Sequence, residues 1–282
     1  MTTAIVGTSG YSYKDWVGPF YPEGTKTAGM LAAYAARFDA VELNFAYYKM
    51  PAAEGLAKLA RDAAAVNPRF RFAIKAHRTL THEIPAHWRD DADAFKDALA
   101  GLRMEGASNH GDRLAAVLAQ FPFSFHYTVQ NRRHLAALLE RWVGLPMAVE
   151  FRNAEWLKDR VVDELRARDV ALVGVDEPDL EGLLPRRAWP GAGLGYVRFH
   201  GRNRDNWRRG DSASRYDYEY NEAELREWLP RLAELTAFAR RTVVFFNNHW
   251  KGQAAKNAVA LRWLLTGNGQ SVGDSKAGEE HG

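Results

Sequence analysis

The sequence has no cysteine among its 282 residues, and this absence excludes several kinds of site. Disulfide frameworks, thiolate metal sites and cysteine nucleophiles are all ruled out. The chain also lacks a run of about 18 apolar residues, the length at which a helix becomes a candidate to span a bilayer. Its amino-terminal MTTAIVGTSG has no basic segment followed by an apolar stretch, so no secretory signal is predicted. These absences predict a cytoplasmic protein without a membrane partner.

Excess charge of one sign is also small. Lys and Arg number 38 against 35 Asp and Glu, which leaves a formal net charge of +3. A balance this even does not by itself indicate nucleic-acid binding, because the distribution of charge matters more than its total. Hydrophobic residues make up 46% of the chain and charged residues 26%, a composition typical of a globular protein with a large core.

Short apolar runs alternate with helical patterns along the whole chain. The runs are AIVGT (4–8), AVELN (40–44), FRFAIKA (70–76), LAAVLAQF (114–121), MAVEFR (147–152), VALVGVD (170–176), GYVRFHG (195–201) and TVVFFNN (242–248). Between them, segment 153–169 places Trp156, Val161 or Val162, and Leu165 on one helical face. Asn221 and Glu224 have the spacing of a capping box.

Eight strands that alternate with helices predict a parallel sheet with right-handed crossovers. No GxGxxG motif follows the first run, which favours a closed barrel over an open dinucleotide-binding sheet. An α/β barrel of this kind typically has about 250 residues. We therefore predict a single (β/α)8 TIM barrel over residues 1–266, a closed eight-stranded parallel sheet with outer helices. A disordered polar tail is predicted over residues 267–282.

Polar residues fall on the inward face of the predicted strands and at their carboxyl ends. In strand two, Val41 and Leu43 take the helix side, so Glu42 and Asn44 point inward. The same alternation, or a place at the end of a strand, selects Lys75, Gln120, Glu150, Arg152, Arg198, His200, Asn247 and Asn248. Barrel interiors are normally apolar, so this pattern predicts a ligand site at the barrel mouth. The alternative is an internal ion network in which Glu42 and Glu150 balance Lys75, Arg152 and Arg198.

The loops that follow the strands add aromatic and basic residues to this end. Tyr11 and Trp16 follow strand one and Tyr48 follows strand two, where they either stack on a base or sugar or simply roof the barrel. RFHGRNRDNWRRG (198–210) clusters arginines, Arg202 among them, around Trp207. A helix begins near Gly252 or Gln253, and barrels often bind phosphate at this corner. A solvated loop and an ordinary helix start are the alternatives. His82 with Glu83 after strand three is a further acid–base candidate.

Seven segments, in order along the chain, resemble one known family. They are GTSGYSYKDW (7–16), VELNFAYY (41–48), KAHRTLTHE (75–83), LAQFPFSF (118–125), VEFRNAEW (149–156), VRFHGR (197–202) and FFNNHWKGQAAKNA (245–258). Together they resemble the YecE-like family, domain of unknown function 72. The resemblance implies a TIM barrel similar to those of the xylose isomerase and endonuclease IV types, with no established activity. Tyr11, Tyr47 and His249 depart from the family's usual residues, which bears on ligand preference.

Three functions remain open. In the first, the protein binds or processes a phosphate-containing ligand, which is a nucleotide, a sugar phosphate or nucleic acid. Glu42 or Glu150 is then the general base, His200 an acid or base, and Lys75, Arg152 and Arg198 stabilise anionic charge, as in a phosphoester hydrolase or isomerase. The predicted binding residues are Tyr11, Trp16, Asn44, Tyr48, Gln120, Arg152, Arg198, Arg202, Asn247 and Asn248.

The second function is a metal-dependent sugar isomerase or endonuclease IV-like enzyme, with Glu42, Glu150 and His200 as ligands. No HxH or HxxxH spacing supports such a site, and three inward cations would repel a metal ion. We therefore predict no metal ligands and no cofactor, while a divalent metal stays open. The third function is a non-catalytic binder of an anionic ligand or nucleic acid.

Overall fold

The apolar runs form a parallel barrel sheet. The computed structural model describes residues 4–103, 112–209 and 212–267. In these residues the strands are β1 (Ile5–Ser9), β2 (Ala40–Leu43), β3 (Arg71–Lys75), β4 (Leu114–Gln120), β5 (Met147–Glu150), β6 (Ala171–Leu172), β7 (Gly174–Asp176), β8 (Leu194–Phe199) and β9 (Arg241–Phe246). Apart from Gly267, the predicted tail lies outside the described residues.

The predicted sixth strand is interrupted at a single residue. The order across the sheet is β6-β5-β4-β3-β2-β1-β9-β8-β7, so β6 and β7 are its two edges. These edges are separated along the chain only by Val173, whose amide donates to the Val149 carbonyl at 2.9 Å. β6 pairs with β5 and β7 pairs with β8, so together they occupy one position in the barrel wall. The predicted TIM-barrel architecture is therefore confirmed, with an interrupted sixth strand.

Helices surround this sheet. They are α1 (Thr27–Ala35), α2 (Phe45–Tyr48), α3 (Ala53–Val66), α4 (Arg78–Thr81), α5 (Trp88–Ala98), α6 (Val129–Arg141), α7 (Asp159–Ala167), α8 (Ser212–Arg215), α9 (Glu222–Arg226), α10 (Leu229–Phe238) and α11 (Gln253–Leu265). Short 3-10 helices cover Lys14–Trp16, Leu99–Leu102, Ala154–Trp156 and Trp250–Gly252. Within the described ranges, none of the helices combines the length and apolarity needed to cross a membrane.

Local sequence signals account for where several helices begin. Asn221 Oδ1 accepts from the Glu224 amide and Glu224 Oε2 accepts from the Asn221 amide, both at 3.0 Å, so the predicted capping box opens α9. The helical face predicted after strand five is confirmed in part: Val161 and Leu165 of α7 are buried against the core, whereas Trp156, which is also buried, lies in the separate 3-10 helix Ala154–Trp156. Such faces cover the outside of the sheet and leave the carboxyl ends of the strands open to the connecting loops.

Candidate functional site

The polar side chains predicted to point inward meet inside the barrel. Glu42, Glu150, Arg198 and His200 are each at most 2% exposed. Glu42 on β2 is paired in register with Ser9 of β1, while Glu150 ends β5 and Arg198 lies on β8. Because alternate residues of a strand share a face, the helix-facing apolar residues hold these polar groups in the interior.

Five charged groups form an alternating series that we call the buried ion-pair chain: Glu42, Arg198, Glu150, Arg152 and Glu177. Arg198 bridges two carboxylates, with Nη2 2.7 Å from Glu42 Oε1 and Nη1 2.8 Å from Glu150 Oε2. Arg152 continues the series, with Nε 2.5 Å from Glu150 Oε1 and Nη1 3.4 Å from Glu177 Oε2. The internal ion network left open by the sequence is therefore present, although its membership differs from the one predicted.

The two ends of Arg152 lie in different electrostatic environments. Burial alone would raise the pKa of Glu150, but Arg198 and Arg152 outweigh it and hold that pKa well below its ordinary range. Burial raises the pKa of Glu177 to about 7 against the effect of Arg152, and the charge of Glu150 adds to the increase. Glu150 is therefore the firmly ionised centre of the chain, and Glu177 is a weakly paired end that titrates near neutrality.

His200 is a neutral imidazole that supports Glu150. Its Nδ1 lies 3.1 Å from Asn247 Nδ2 and 3.4 Å from Arg152 Nη2, and both of these are donors. Nδ1 therefore accepts, and the proton sits on Nε2, which donates to Glu150 Oε1 at 3.2 Å. Burial and the Arg152 charge lower the pKa of His200 to about 3. With both ring nitrogens engaged, His200 fixes the carboxylate, and its catalytic role stays a prediction.

A cavity of about 510 Å³ opens at the carboxyl ends of the strands, and we call it the mouth cavity. Its lining residues are His82, Gln120, Pro122, Phe123, Arg152, Leu183, Trp207, Arg208, Arg215 and Tyr216. Three of these residues are arginines, and no Asp or Glu is among them. A separate cavity of about 560 Å³ lies on the outer face between α6 and α7. Of these two cavities, the mouth cavity is the one lined by Gln120 at the end of β4 and by Arg152, two residues after β5.

Lys75 lies beside the mouth cavity and outside the ion-pair chain. Its Nζ sits 4.2 Å from the centre of the Tyr47 ring, and that ring lies 4.8 Å from the ring of His82, which lines the cavity. Lys75 makes no ion pair or hydrogen bond with any residue that the structure describes. Burial, with Arg198 and Arg152, lowers its pKa to about 7. Burial, with Lys75 and Arg152, lowers the pKa of His82 to about 4.

Comparison with known proteins places this barrel in a family. A family model described as "Protein of unknown function DUF72" matches residues 5–281. The chain belongs to the DUF72 family. The UPF0759 protein YunF of Bacillus subtilis is 31% identical over 277 residues, which cover 92% of this chain and 94% of that protein. The family membership predicted from the motifs is therefore confirmed.

Solved structures of DUF72 proteins share the fold. One from Thermotoga maritima is 37% identical, with a TM-score of 0.82, and the match covers 94% of this chain and 99% of that one. Another, from Enterococcus faecalis, is 26% identical with a TM-score of 0.79, and the match covers 93% and 95% of the two chains. Neither similarity identifies a substrate for the mouth cavity.

In this DUF72 chain Arg202 lies away from the mouth cavity. Its Nη2 is 2.7 Å from Asp176 Oδ2 and 2.9 Å from Glu227 Oε2. Asp176 faces the helices, because it is paired in register with Phe199 and accepts from Trp228 Nε1 at 2.7 Å. Arg202 thus neutralises a buried carboxylate on the outer side of the sheet, in contrast to the phosphate contact that the sequence suggested.

Of the three aromatic residues predicted to bind a ligand, two pack against other side chains and one lies at the surface. Trp16 is fully buried, and its Nε1 donates to the His249 carbonyl at 2.7 Å. Tyr11 packs 6.1 Å from the ring of Tyr34 on α1. Tyr48 alone of the three predicted rings is well exposed, at 69%. Trp16 and Tyr11 are therefore held in packing contacts, and their proposed ligand contacts stay predictions.

The predicted asparagines also have different surroundings. Asn247 contacts His200, whereas Asn248 Nδ2 donates to the Tyr218 carbonyl and to Asn257 Oδ1, both at 2.8 Å. Asn44 precedes α2, and its Oδ1 is buried without a partner among the described residues. Only Asn247 among them is tied directly to the inner polar network.

The predicted phosphate corner at α11 is covered by neighbouring chain. The helix begins at Gln253, as predicted, and Gly252 before it has φ 81°. Gln253 Oε1 accepts from the Tyr218 amide at 3.0 Å, and Gln253 Nε2 donates to Asp217. Residues 250–257 do not line the mouth cavity. The basic character of the mouth therefore comes from the segment after β8 and from Arg152, which follows β5.

Sequence reasoning missed several members of the site. Glu42 Oε1 accepts from Ser9 Oγ at 2.5 Å, and its Oε2 accepts from Tyr196 OH at 2.6 Å. Both donors lie on inward positions of their strands, so the alternation applied to Glu42 would have indicated them. The same alternation, extended one residue past Asp176, would also have indicated that Glu177 faces inward. Arg208 belongs to the arginine cluster that the sequence indicated, whereas Arg215, at the end of the short helix α8, and Tyr216 after it follow no strand period.

The carboxylates are arranged for cations on side chains rather than for a metal ion. Within the described ranges, no cluster of three or more His, Asp or Glu side chains is arranged to hold a metal. Arg198 lies between Glu42 and Glu150, the two carboxylates of the hypothetical ligand set. His200 presents a protonated Nε2 to Glu150, whereas a metal ligand must offer a lone pair. These residues therefore do not fit a metal centre in this arrangement.

Proposed function

We propose that the mouth cavity binds a small organic anion that carries a phosphate group, such as a sugar phosphate or a nucleotide. The observation that carries this proposal is a cavity lined by three arginines and by no carboxylate among the described residues. Arginine guanidinium groups match the geometry of phosphate oxygens, and an unbalanced cationic cavity attracts an anion.

The arginines retain donors for a ligand. Arg215 Nε is buried without a hydrogen-bond partner in the described residues, and Arg208 has its Nη2 engaged only by the Glu181 carbonyl. A buried donor without a partner costs free energy, and an anionic ligand would relieve that cost. Arg152 extends from the ion-pair chain into the same wall, so the pocket is anchored to the rigid interior of the barrel.

The remaining walls suit the organic part of such a ligand. Trp207, Tyr216 and Phe123 supply aromatic surface, and Gln120 supplies an amide. The rings of Trp207 and Tyr216 are 6.4 Å apart and nearly perpendicular. A volume of about 510 Å³ is in the range of small-molecule sites. These features favour a compact ligand over an extended nucleic acid.

The chemistry open to this site is narrower than the sequence suggested. Glu42, Glu150 and His200 were the predicted acid–base groups for phosphoester hydrolysis. Each is buried and already bonded within the barrel, and none of the three lines the mouth cavity. We therefore propose that they position Arg198 and Arg152, and that Lys75 and His82 are the groups available to react.

Thermal denaturation with a panel of ligands tests this function. The panel contains inorganic phosphate, pentose phosphates, nucleoside monophosphates, short single-stranded DNA and divalent metal ions, each with and without EDTA. Ligands that bind the native state raise its Tm. We expect the organic phosphates to raise Tm equally with and without EDTA, and Arg215→Ala to reduce the effect.

Arg133→Ala is the matched control, since Arg133 is exposed on α6 and lines only the outer cavity. This variant should keep the full response to organic phosphates. Stabilisation by a metal ion alone, abolished by EDTA, would contradict the proposal and favour the metal-dependent alternative. Stabilisation by DNA alone would favour the nucleic-acid binder.

A further inference from the structure

Lys75 is a half-buried amine that has no ion-pair partner within the described part of the chain. It ends β3, and its neighbours include carboxylates that are already engaged by arginines. Glu42 and Glu150 are held by Arg198 at 2.7 and 2.8 Å. Lys75 itself packs on the face of Tyr47 and makes no ion pair or hydrogen bond within the described part of the chain.

This environment favours the neutral, nucleophilic form of the amine. A lysine in water has a pKa of about 10.4 and is almost entirely protonated at neutral pH. Burial, with Arg198 and Arg152, lowers the pKa of Lys75 to about 7. Lysines are made nucleophilic by reduced contact with water and by a nearby cation, and the half-buried position of Lys75 and the charges of Arg198 and Arg152 act in that direction.

The amine is also next to a place where a ligand can bind. Tyr47 links Lys75 to His82, which lines the mouth cavity together with Arg152. His82 Nδ1 is 2.8 Å from Thr81 Oγ1, which leaves its Nε2 for the cavity. A ligand anchored by the cavity arginines would therefore have its other functional groups close to this corner.

We propose that Lys75 is a carbonyl-capturing nucleophile, and that it forms an imine with the aldehyde or ketone group of a phosphate-bearing ligand in the mouth cavity. This inference rests on the proposed function, since the arginines hold the phosphate and Lys75 supplies the reactive group. It specifies the substrate class as phosphorylated carbonyl compounds.

The reaction is balanced without any further reactant. The Nζ lone pair forms a bond to the carbonyl carbon, and the carbonyl π pair moves to oxygen, which takes up a proton. The resulting carbinolamine nitrogen loses a proton, for which neutral His82 is the acceptor on the cavity wall. The nitrogen lone pair then forms the C=N bond as the carbon–oxygen bond breaks, and the oxygen leaves as water with a second proton. The iminium nitrogen gives up its remaining proton to solvent, so two protons are taken up and two released, and amine and carbonyl become imine and water.

Reductive trapping tests the inference on the intact protein. Pyridoxal phosphate serves as a phosphate-bearing aldehyde probe, and pyridoxal serves as the probe without phosphate. The protein is incubated with each probe, reduced with borohydride and mapped by peptide mass spectrometry. Lys58 is the matched internal control, because it is 69% exposed on α3 and paired with Asp62.

We expect pyridoxal phosphate to modify Lys75 at least about tenfold faster than Lys58 at neutral pH, because the pKa of Lys75 is lowered to about 7 and a phosphate-binding cavity lies nearby. Lys75→Arg, which keeps a cation and removes the nucleophile, should abolish that adduct, and Lys58→Arg should leave it intact. The pH profile of the wild-type adduct needs no variant. The rate of Lys75 adduct formation should level off above about pH 7.

The groups that face Lys75 and set this profile are Arg198 of β8, Arg152 and Glu150 of the β5 end, and Glu42 of β2. Equal labelling of Lys75 by both probes would support the amine chemistry and overturn the phosphate site. Reversible, phosphate-competed binding of pyridoxal phosphate with no Lys75 adduct would support the phosphate site and overturn this inference. Labelling spread evenly over surface lysines would overturn it as well.

Discussion

The buried ion-pair chain and the mouth cavity contain the same kinds of side chain in opposite states. In the chain, each arginine lies between two carboxylates, as Arg198 does between Glu42 and Glu150. In the cavity, Arg208 and Arg215 line a wall that has no carboxylate among its described residues. The comparison shows that a polar barrel interior can be a scaffold in one layer and a binding surface in the next.

The largest expected effect lies in the scaffold. Glu150→Gln removes the central charge and leaves Arg198 and Arg152 incompletely paired. Breaking a buried ion pair on one side costs about 3–5 kcal/mol, so we expect a loss of that order in the free energy of unfolding, measured by urea denaturation. Arg215→Ala in the cavity should cost less than about 1 kcal/mol. Equal losses in the two variants would remove the distinction between the layers.

The next largest effect is a pH dependence of the free energy of unfolding, caused by Lys75 at the boundary between the ion-pair chain and the mouth cavity. The folded-state pKa of Lys75 is about 7, below the unfolded value of about 10.4. Between these values the unfolded chain binds more protons, so stability rises with pH. The loss of folding stability caused by protonated Lys75 is therefore complete below pH 7 and disappears toward pH 10. Lys75→Met should therefore be more stable than wild type at pH 6, by up to a few kcal/mol at about 1.4 kcal/mol per pKa unit.

The difference between the unfolding free energies of wild type and Lys75→Met, measured across pH, isolates the contribution of Lys75. Glu177, whose raised pKa makes stability fall as pH rises toward 7, is present in both proteins and cancels to first order. A constant difference from pH 6 to pH 10 would mean that Lys75 does not carry the penalty.

A smaller effect separates two arginines that follow the same strand. Arg215→Ala should weaken binding of a sugar phosphate about 10- to 100-fold, the value of a charged hydrogen bond, as measured by calorimetry. Arg202→Ala should instead destabilise the fold, since it leaves Asp176 with an unpaired charge, and should not change affinity. Loss of affinity in Arg202→Ala at unchanged stability would return Arg202 to the binding site.

The smallest effect concerns the aromatic wall. Trp207→Leu should weaken binding of a nucleoside monophosphate by about 1 kcal/mol through the lost ring contact, and leave binding of inorganic phosphate unchanged. Titration of both ligands against the variant checks this. If inorganic phosphate is weakened equally, the ring would be a structural support of the cavity and not a contact for the organic group.

The alternation of side chains along a strand explains what could be predicted. Glu42, Lys75, Glu150 and Arg198 lie on regular strands, where a period of two fixes the face of each residue. That period ends at Gly201, which has φ 90° and lies so close to Tyr218 that a Cβ would be 2.7 Å from it. The turn directs Arg202 to the helix side, where it pairs with Asp176, away from the phosphate contact suggested by its place in the arginine cluster around Trp207.

The pairing of these residues could not be predicted from the alternation. A strand pattern gives the face of a residue but not its distance to residues on strands across the barrel. The sequence therefore grouped Lys75 with Arg152 and Arg198 as counterions of the carboxylates. In the folded barrel Glu42 and Glu150 pair with arginines, whose guanidinium groups contact two partners at once. Lys75 has no ion-pair partner among the described residues.

The interruption at Val173 marks a seam in the barrel wall. β6 and β7 have two and three residues and are the shortest strands of the described sheet. Local opening of the sheet should therefore require the least free energy there. Amide hydrogens around Gly174 should exchange with solvent earlier than those of β4 or β9. Glu177 follows this seam directly and is the weak end of the ion-pair chain. Each opening of the seam would therefore expose the Glu177 end of the ion-pair chain to water.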